Sequence, residues 1–143
     1  MERWELLLLF LGFDETTDRT FDPVRIMKGM FLLEQEGALK PHSYDFEPYD
    51  YGPFSVSLYS DLDLLEGREL IERPPRPGRN WSYVRVTDAG ISVAKDLKKQ
   101  AKPEQLKLIQ TVRDEVLDKS FADLLRYIYN KYPKYAGRSV FQG

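Results

Sequence analysis

Arg73, Arg76 and Arg79 stand three residues apart in a run broken by Pro74, Pro75, Pro77 and Gly78, and Asn80 follows directly. Guanidinium groups on a proline-stiffened tip suit phosphate oxygens and the narrow minor groove, whose negative potential draws arginine in. The same groups serve a plainer end equally well, keeping an exposed hairpin soluble and its edge unpaired. A second set, Ser55, Ser57 and Ser60 with Tyr59, follows Gly52-Pro53. If a helix starts there, its free amides and the serine hydroxyls can hold a phosphate, and the tyrosine can touch backbone or a thymine methyl. The outward face of that helix (Val56, Tyr59, Ser60, Asp63) lacks arginine, lysine, asparagine and glutamine. Those four types most often read guanine and adenine, whereas Asp63 repels phosphate unless it accepts from cytosine.

Catalytic chemistry has little to work with. Cysteine is absent, which excludes disulfides, thiolate metal sites, iron–sulfur clusters and a cysteine nucleophile, and His42 is the single histidine. His42 sits in a loop between Pro41 and Ser43 and reads as structural or exposed. Asp45, Glu47 and Asp50 lack calcium-loop spacing, and no glycine-rich phosphate cradle is present. No enzyme, metal or cofactor is expected. Near the C-terminus Tyr127, Tyr129, Tyr132 and Tyr135 interleave with Arg126, Lys131, Lys134 and Arg138. Such a stretch can stack on single strands, but tyrosines at this spacing more often pack half-buried beneath a solvated basic face.

The charge is unevenly placed. Residues 1–67 carry 5 basic and 14 acidic side chains, residues 68–85 carry 5 and 2, and residues 86–143 carry 11 and 7, giving the formal net charge of −2. A chain with so acidic a first half is a poor non-specific binder of phosphate backbone, so any DNA contact must be local. The longest apolar run, Leu6 to Phe13, is far below the roughly 18 residues that span a bilayer. Glu2 and Glu5 do not suit a signal peptide, and a cytoplasmic location with no membrane contact is expected.

These groups need elements to position them. The 143 residues suffice for one ordinary domain, with 42% hydrophobic residues to fill its core. Leu6, Leu7, Leu8, Leu9 and Leu11 face every side of a first helix over 2–13, as in a helix buried all round or shared with a partner subunit. Asp22-Pro23 starts a second helix that Gly37 stops. Residues 38–53 read as a proline-containing loop anchored by buried Tyr44, Phe46, Tyr49 and Tyr51, with room for a short extended piece. Phe54, Leu58, Leu62 and Leu65 trace the inner stripe of a third helix ending near Gly67. Residues 70–73 and 81–86 predict a hairpin with a long tip, in which Arg68 and Arg85 can neutralise Glu69 or Glu72. Thr87-Asp88, Pro103 and Ser120 with Asp123 open three further helices, and the tail from Tyr132 is irregular.

Helix, helix, loop, helix and hairpin, in that order, match a winged helix-turn-helix. LIER at 70–73 and YVRVTDAG at 83–90 resemble the end of the recognition helix and the turn after the wing in MarR- and PadR-type regulators. Arg25 to Leu33, FEPYDYGPFS at 46–55, LYSDL at 58–62 and LLRYIYNKYPKY at 124–135 are similar to a group of uncharacterised prokaryotic and phage-associated proteins that includes the Panacea antitoxin domain. The resemblance implies a winged-helix-like protein of regulatory, toxin–antitoxin or phage-related systems without enzymatic activity, and carries over no individual functional residue. The expected fold is mainly α with a small β-hairpin: a winged-helix domain over 1–101 and a C-terminal helical extension, 102–143, packed on the same domain. The expected function is double-stranded DNA binding in transcription regulation, with Ser55, Ser57, Tyr59, Ser60, Arg73, Arg76, Arg79 and Asn80 at the DNA and a homodimer as the working form. The alternative is a protein-interaction module, an antitoxin or phage-defence adaptor, that turns its acidic surface to a toxin or other basic partner.

Overall fold

The computed structural model describes residues 1–137 and 139–140. They form α1 (Arg3–Leu11), α2 (Pro23–Gln35), β1 (Glu47–Tyr49), β2 (Gly52–Phe54), α3 (Val56–Gly67), β3 (Ile71–Glu72), β4 (Arg85–Val86), α4 (Asp88–Gln100), α5 (Pro103–Asp118), α6 (Phe121–Lys131) and a final 3-10 turn (Pro133–Ala136). The architecture is mainly helical with two small antiparallel strand pairs.

Capping decides where the helices begin. Asp22 accepts the Arg25 amide at 2.8 Å ahead of Pro23, Thr87 accepts the Gly90 amide at 3.1 Å, and Ser120 accepts the Asp123 amide at 3.1 Å. Each side chain satisfies a donor that the first helical turn leaves free, which makes α2, α4 and α6 start where the sequence places them.

The core is centred on α1. Leu6 to Leu11 are at most 1% exposed, covered by α3, α4 and β4 of the same chain. The leucines that suggested a shared subunit interface are thus consumed within one chain, and the ground for expecting a homodimer goes with them. On the other side α5 packs on α2. The Arg113 guanidinium, 2% exposed, reaches from α5 to bond the Phe10 carbonyl and pairs with Asp14 at 3.0 Å. Arg25 reaches back from α2 to the carbonyls of Val116 (3.2 Å) and Lys119 (2.9 Å). Only Ala101 and Lys102 separate α4 from α5, and the C-terminal helices are tied into the core of the first hundred residues. No helix among the described residues is long and apolar enough to cross a membrane.

Two stretches differ from the sequence expectation. Within the segment read as a loop, β1 and β2 pair in the register Glu47↔Phe54, Pro48↔Pro53, Tyr49↔Gly52, closed by a turn that Gly52 permits with φ +90°. Proline normally argues against a strand, but in a two-stranded ribbon both strands are edges, so the missing donor can face outward at no cost. Phe54 therefore belongs to β2 rather than α3, and Tyr49 and Tyr51 are exposed while Tyr44 and Phe46 are buried. The second hairpin is shorter than expected. Ile71–Glu72 pairs only with Arg85–Val86, while Val84 exchanges both backbone hydrogen bonds with Phe21 at 2.9 Å. Trp81 to Tyr83 leave the ladder: Val84 turns to Phe21, and in the β3–β4 register Tyr83 and Ser82 would face Pro74 and Pro75, which have no N–H to donate.

Candidate functional site

Of the sequence-selected residues on α3, the structure engages some and frees others. Ser55 is 2% exposed, its hydroxyl donates to the Tyr44 carbonyl and its amide lies 3.3 Å from Met27 Sδ, so it holds β2 against α2 instead of facing a ligand. Ser57 is half-buried; Tyr59 and Ser60 face outward beside Val56, which is 72% exposed. Asp61, which looks like a surface acid by type, is buried and accepts from the Tyr44 hydroxyl at 2.6 Å and Arg3 at 3.0 Å, fixing the 36–46 loop and α1 to α3.

The arginine cluster divides three ways. Arg73 pairs with Asp63 at 2.6 Å and Glu66 at 2.8 Å, so it neutralises the acids of α3 and has little left for a phosphate. Arg76 folds back over the hairpin base, its guanidinium 4.3 Å from the Trp81 ring centre and 4.5 Å from that of Tyr83. Its Nη1 is buried without a hydrogen-bond partner. Arg79 and Asn80 face water at the tip. Flanking the cluster, Arg85 pairs with Glu72 at 2.6 Å, as its position suggested, and Arg68 lies over the Trp4 ring at 5.1 Å. The basic C-terminal stretch is likewise engaged. Lys131 bonds Glu36 at 2.6 Å, Arg126 pairs with Asp123 at 2.9 Å and Tyr135 is buried edge-on to Phe31, while Arg138 lies outside the described residues. His42 is exposed in the loop at φ +64°.

What gathers around α3 is a continuous aromatic surface. Ring centres of Tyr49 and Phe54 are 5.0 Å apart, Phe54 and Tyr59 5.8 Å, Tyr51 and Phe121 5.6 Å, and Trp81 and Tyr83 5.2 Å. Pro23, Val24 and Tyr59 line two adjoining depressions. One, of about 170 Å³, is walled by the β1–β2 hairpin with Lys28 among its lining residues; the other, of about 410 Å³, lies between the start of α2, Phe121, Trp81 and Tyr83. Tyr49, Tyr51, Tyr59, Trp81 and Tyr83 are each between 36% and 48% exposed, and rings grouped in one patch, unlike singly exposed ones, suit an interaction surface. A separate cleft of about 460 Å³ between the segment after α1, α4 and α5 is polar, but its charges answer one another: Asp14 pairs with Arg19 and Arg113, and Lys98 bonds the Phe13 carbonyl.

Sequence reasoning overlooked Lys28, Trp81 and Tyr83 as site residues. The available signal was a lone lysine in a helix otherwise apolar on nearly every face, and a Trp-x-Tyr pair within reach of an arginine across a tight tip. No protein-family model matches the chain, and no curated protein matches it.

Proposed function

We propose that this protein is a non-catalytic protein-interaction module, an adaptor of the antitoxin kind, built on a winged-helix scaffold and binding its partner through the aromatic surface around α3. The scaffold reading is supported by the single backbone bridge between Phe21 and Val84, which lies beside the β3–β4 pair and joins the segment before α2 to the segment before α4. The functional reading is carried by one observation: tyrosines and tryptophan, rather than groove-reading amides and guanidiniums, occupy the exposed face of the third helix and the wing base. Tyr, Trp and Arg dominate the energetics of protein interfaces, and a stacked arginine such as Arg76 arrives with its conformational entropy already spent.

Transcription regulation through double-stranded DNA is the second reading, favoured by Arg79 and Asn80 at the tip and the exposed hydroxyl of Ser60. Heparin retention at low salt together with co-purification from the native host separates the two. The adaptor reading expects a stoichiometric protein partner, lost in a Tyr59→Ser/Trp81→Ser variant, without heparin retention. Salt-sensitive retention without a partner, weakened by alanine at Arg76 and Arg79, would establish DNA binding instead.

A further inference from the structure

We infer that Lys28 anchors the α-carboxylate of a peptide C-terminus, with the terminal apolar side chain seated between Tyr49, Tyr51 and Phe54. The inference rests on the protein-interaction reading and names the part of the partner that this end of the surface takes.

Lys28 is 3% exposed and lies on the wall of the 170 Å³ depression. Its Nζ donates one hydrogen bond, to the Pro53 carbonyl at 3.0 Å, and makes no ion pair among the described residues. Buried cations are normally paired, because an isolated ammonium loses its hydration with nothing to replace it. Among the described residues, the groups facing it supply no countercharge: Tyr49 and Tyr51 come from the hairpin, Tyr59 from α3, and Leu125 of α6 closes on Gly52. Asp22, at the start of the same helix, is bonded to Arg25. Burial accordingly lowers the Lys28 pKa to about 7, so the amine is poised to be charged by an incoming anion. A side chain at Gly52 would place its first carbon 3.2 Å from Lys28 Cε, 3.4 Å from Leu125 Cδ2 and 3.5 Å from Nζ; glycine there lets the hairpin turn close against the amine.

Size and chemistry select the occupant. Small-molecule and cofactor sites occupy about 300–1,000 Å³, and this depression, at about 170 Å³, suits a single residue. It offers a cation and aromatic walls within one space, so its complement carries a carboxylate and an apolar group on the same carbon. A C-terminal Leu, Val or Phe does so, whereas an internal Asp or Glu brings the carboxylate without the apolar group. Upstream residues of the peptide then continue past Tyr59 towards Trp81 and Tyr83. Capture of a chain end by a dedicated pocket is an established recognition mode in general.

The test is calorimetric titration of the full chain with acetyl-Ser-Gly-Ser-Gly-X, where X is Leu, Val or Phe, each as free acid and as amide. At about pH 6 at least one acid is expected to bind about tenfold or more tightly than its amide. Its affinity should fall by about tenfold per pH unit above 7, with proton uptake on binding, because the bound state requires the ammonium. Lys28→Met should erase the acid–amide difference, and Tyr51→Ala, at an exposed ring, should weaken acid and amide alike. Equal binding of acids and amides, binding independent of pH, or no binding at millimolar peptide would overturn the inference. Equal binding that Tyr51→Ala still weakens would leave the protein-interaction reading standing and remove only the role of Lys28. Should Lys28→Met not fold, the acid–amide and pH contrasts in the unaltered protein decide alone.

Discussion

Lys28 brings the cost of this surface to a single side chain. Burial takes its pKa from 10.5 to about 7, so between those values the unfolded chain binds a proton that the folded chain does not. Stability then rises with pH through that window, and the penalty is full below 7. The whole shift corresponds to ~5 kcal/mol at 1.36 kcal/mol per unit, and about 2 kcal/mol of it is recovered between pH 7 and 9. Urea unfolding of the peptide-free protein is predicted to show that gain, and Lys28→Met to flatten it. A level wild-type profile would mean that the amine is hydrated after all. Arg76 illustrates a different economy at the same scale: with two rings against its guanidinium, it contributes to the shape of the surface more than to its field.

Among the elements, those with local chemical signals were legible in the sequence. The Asp22-Pro23, Thr87 and Ser120 caps act through neighbouring amides a few residues away, so their effect needs no knowledge of the fold. The β1–β2 hairpin was legible only as room for a short extended piece, since its prolines speak against a paired strand unless the sheet is known to stop at two. The retreat of Trp81–Tyr83 from the ladder was not legible, since it depends on Val84 finding Phe21 some sixty positions earlier. The turn after β4 has a stricter requirement. A methyl group at Gly90 would sit 2.0 Å from the Leu70 carbonyl oxygen, which accepts the Thr87 amide at 3.1 Å, and 2.5 Å from Val86 Cγ1 on β4. Gly90→Ala is therefore predicted to destabilise the protein by about 3 kcal/mol or more, at the upper end of overpacking costs, read as a lowered urea midpoint with an unchanged slope. A loss below ~1 kcal/mol would mean that the β3–β4 pair detaches freely from the helices.

For the molecule as a whole, the candidate site was only half legible. Residue types identified a cationic cluster, but which guanidiniums stay free is settled by tertiary partners: Asp63 and Glu66 claim Arg73, Glu72 claims Arg85, and Trp81 with Tyr83 claims Arg76. The acidic first half adds repulsion towards nucleic acid, and its bonded or buried members, such as Asp61 and Asp22, also support structure. Among the described residues an aromatic surface is left partly exposed, and it spans elements from three separate parts of the sequence. No short window of residues could have displayed it.

The most direct measurement places a photo-crosslinking phenylalanine at Tyr59 or Tyr83 in the native host, with Gln110, an exposed residue of α5, as the control position. The account predicts that both face positions crosslink one common protein and that Gln110 does not. Crosslinks to nucleic acid at Tyr59 and Tyr83, or the same yield at all three positions, would contradict it.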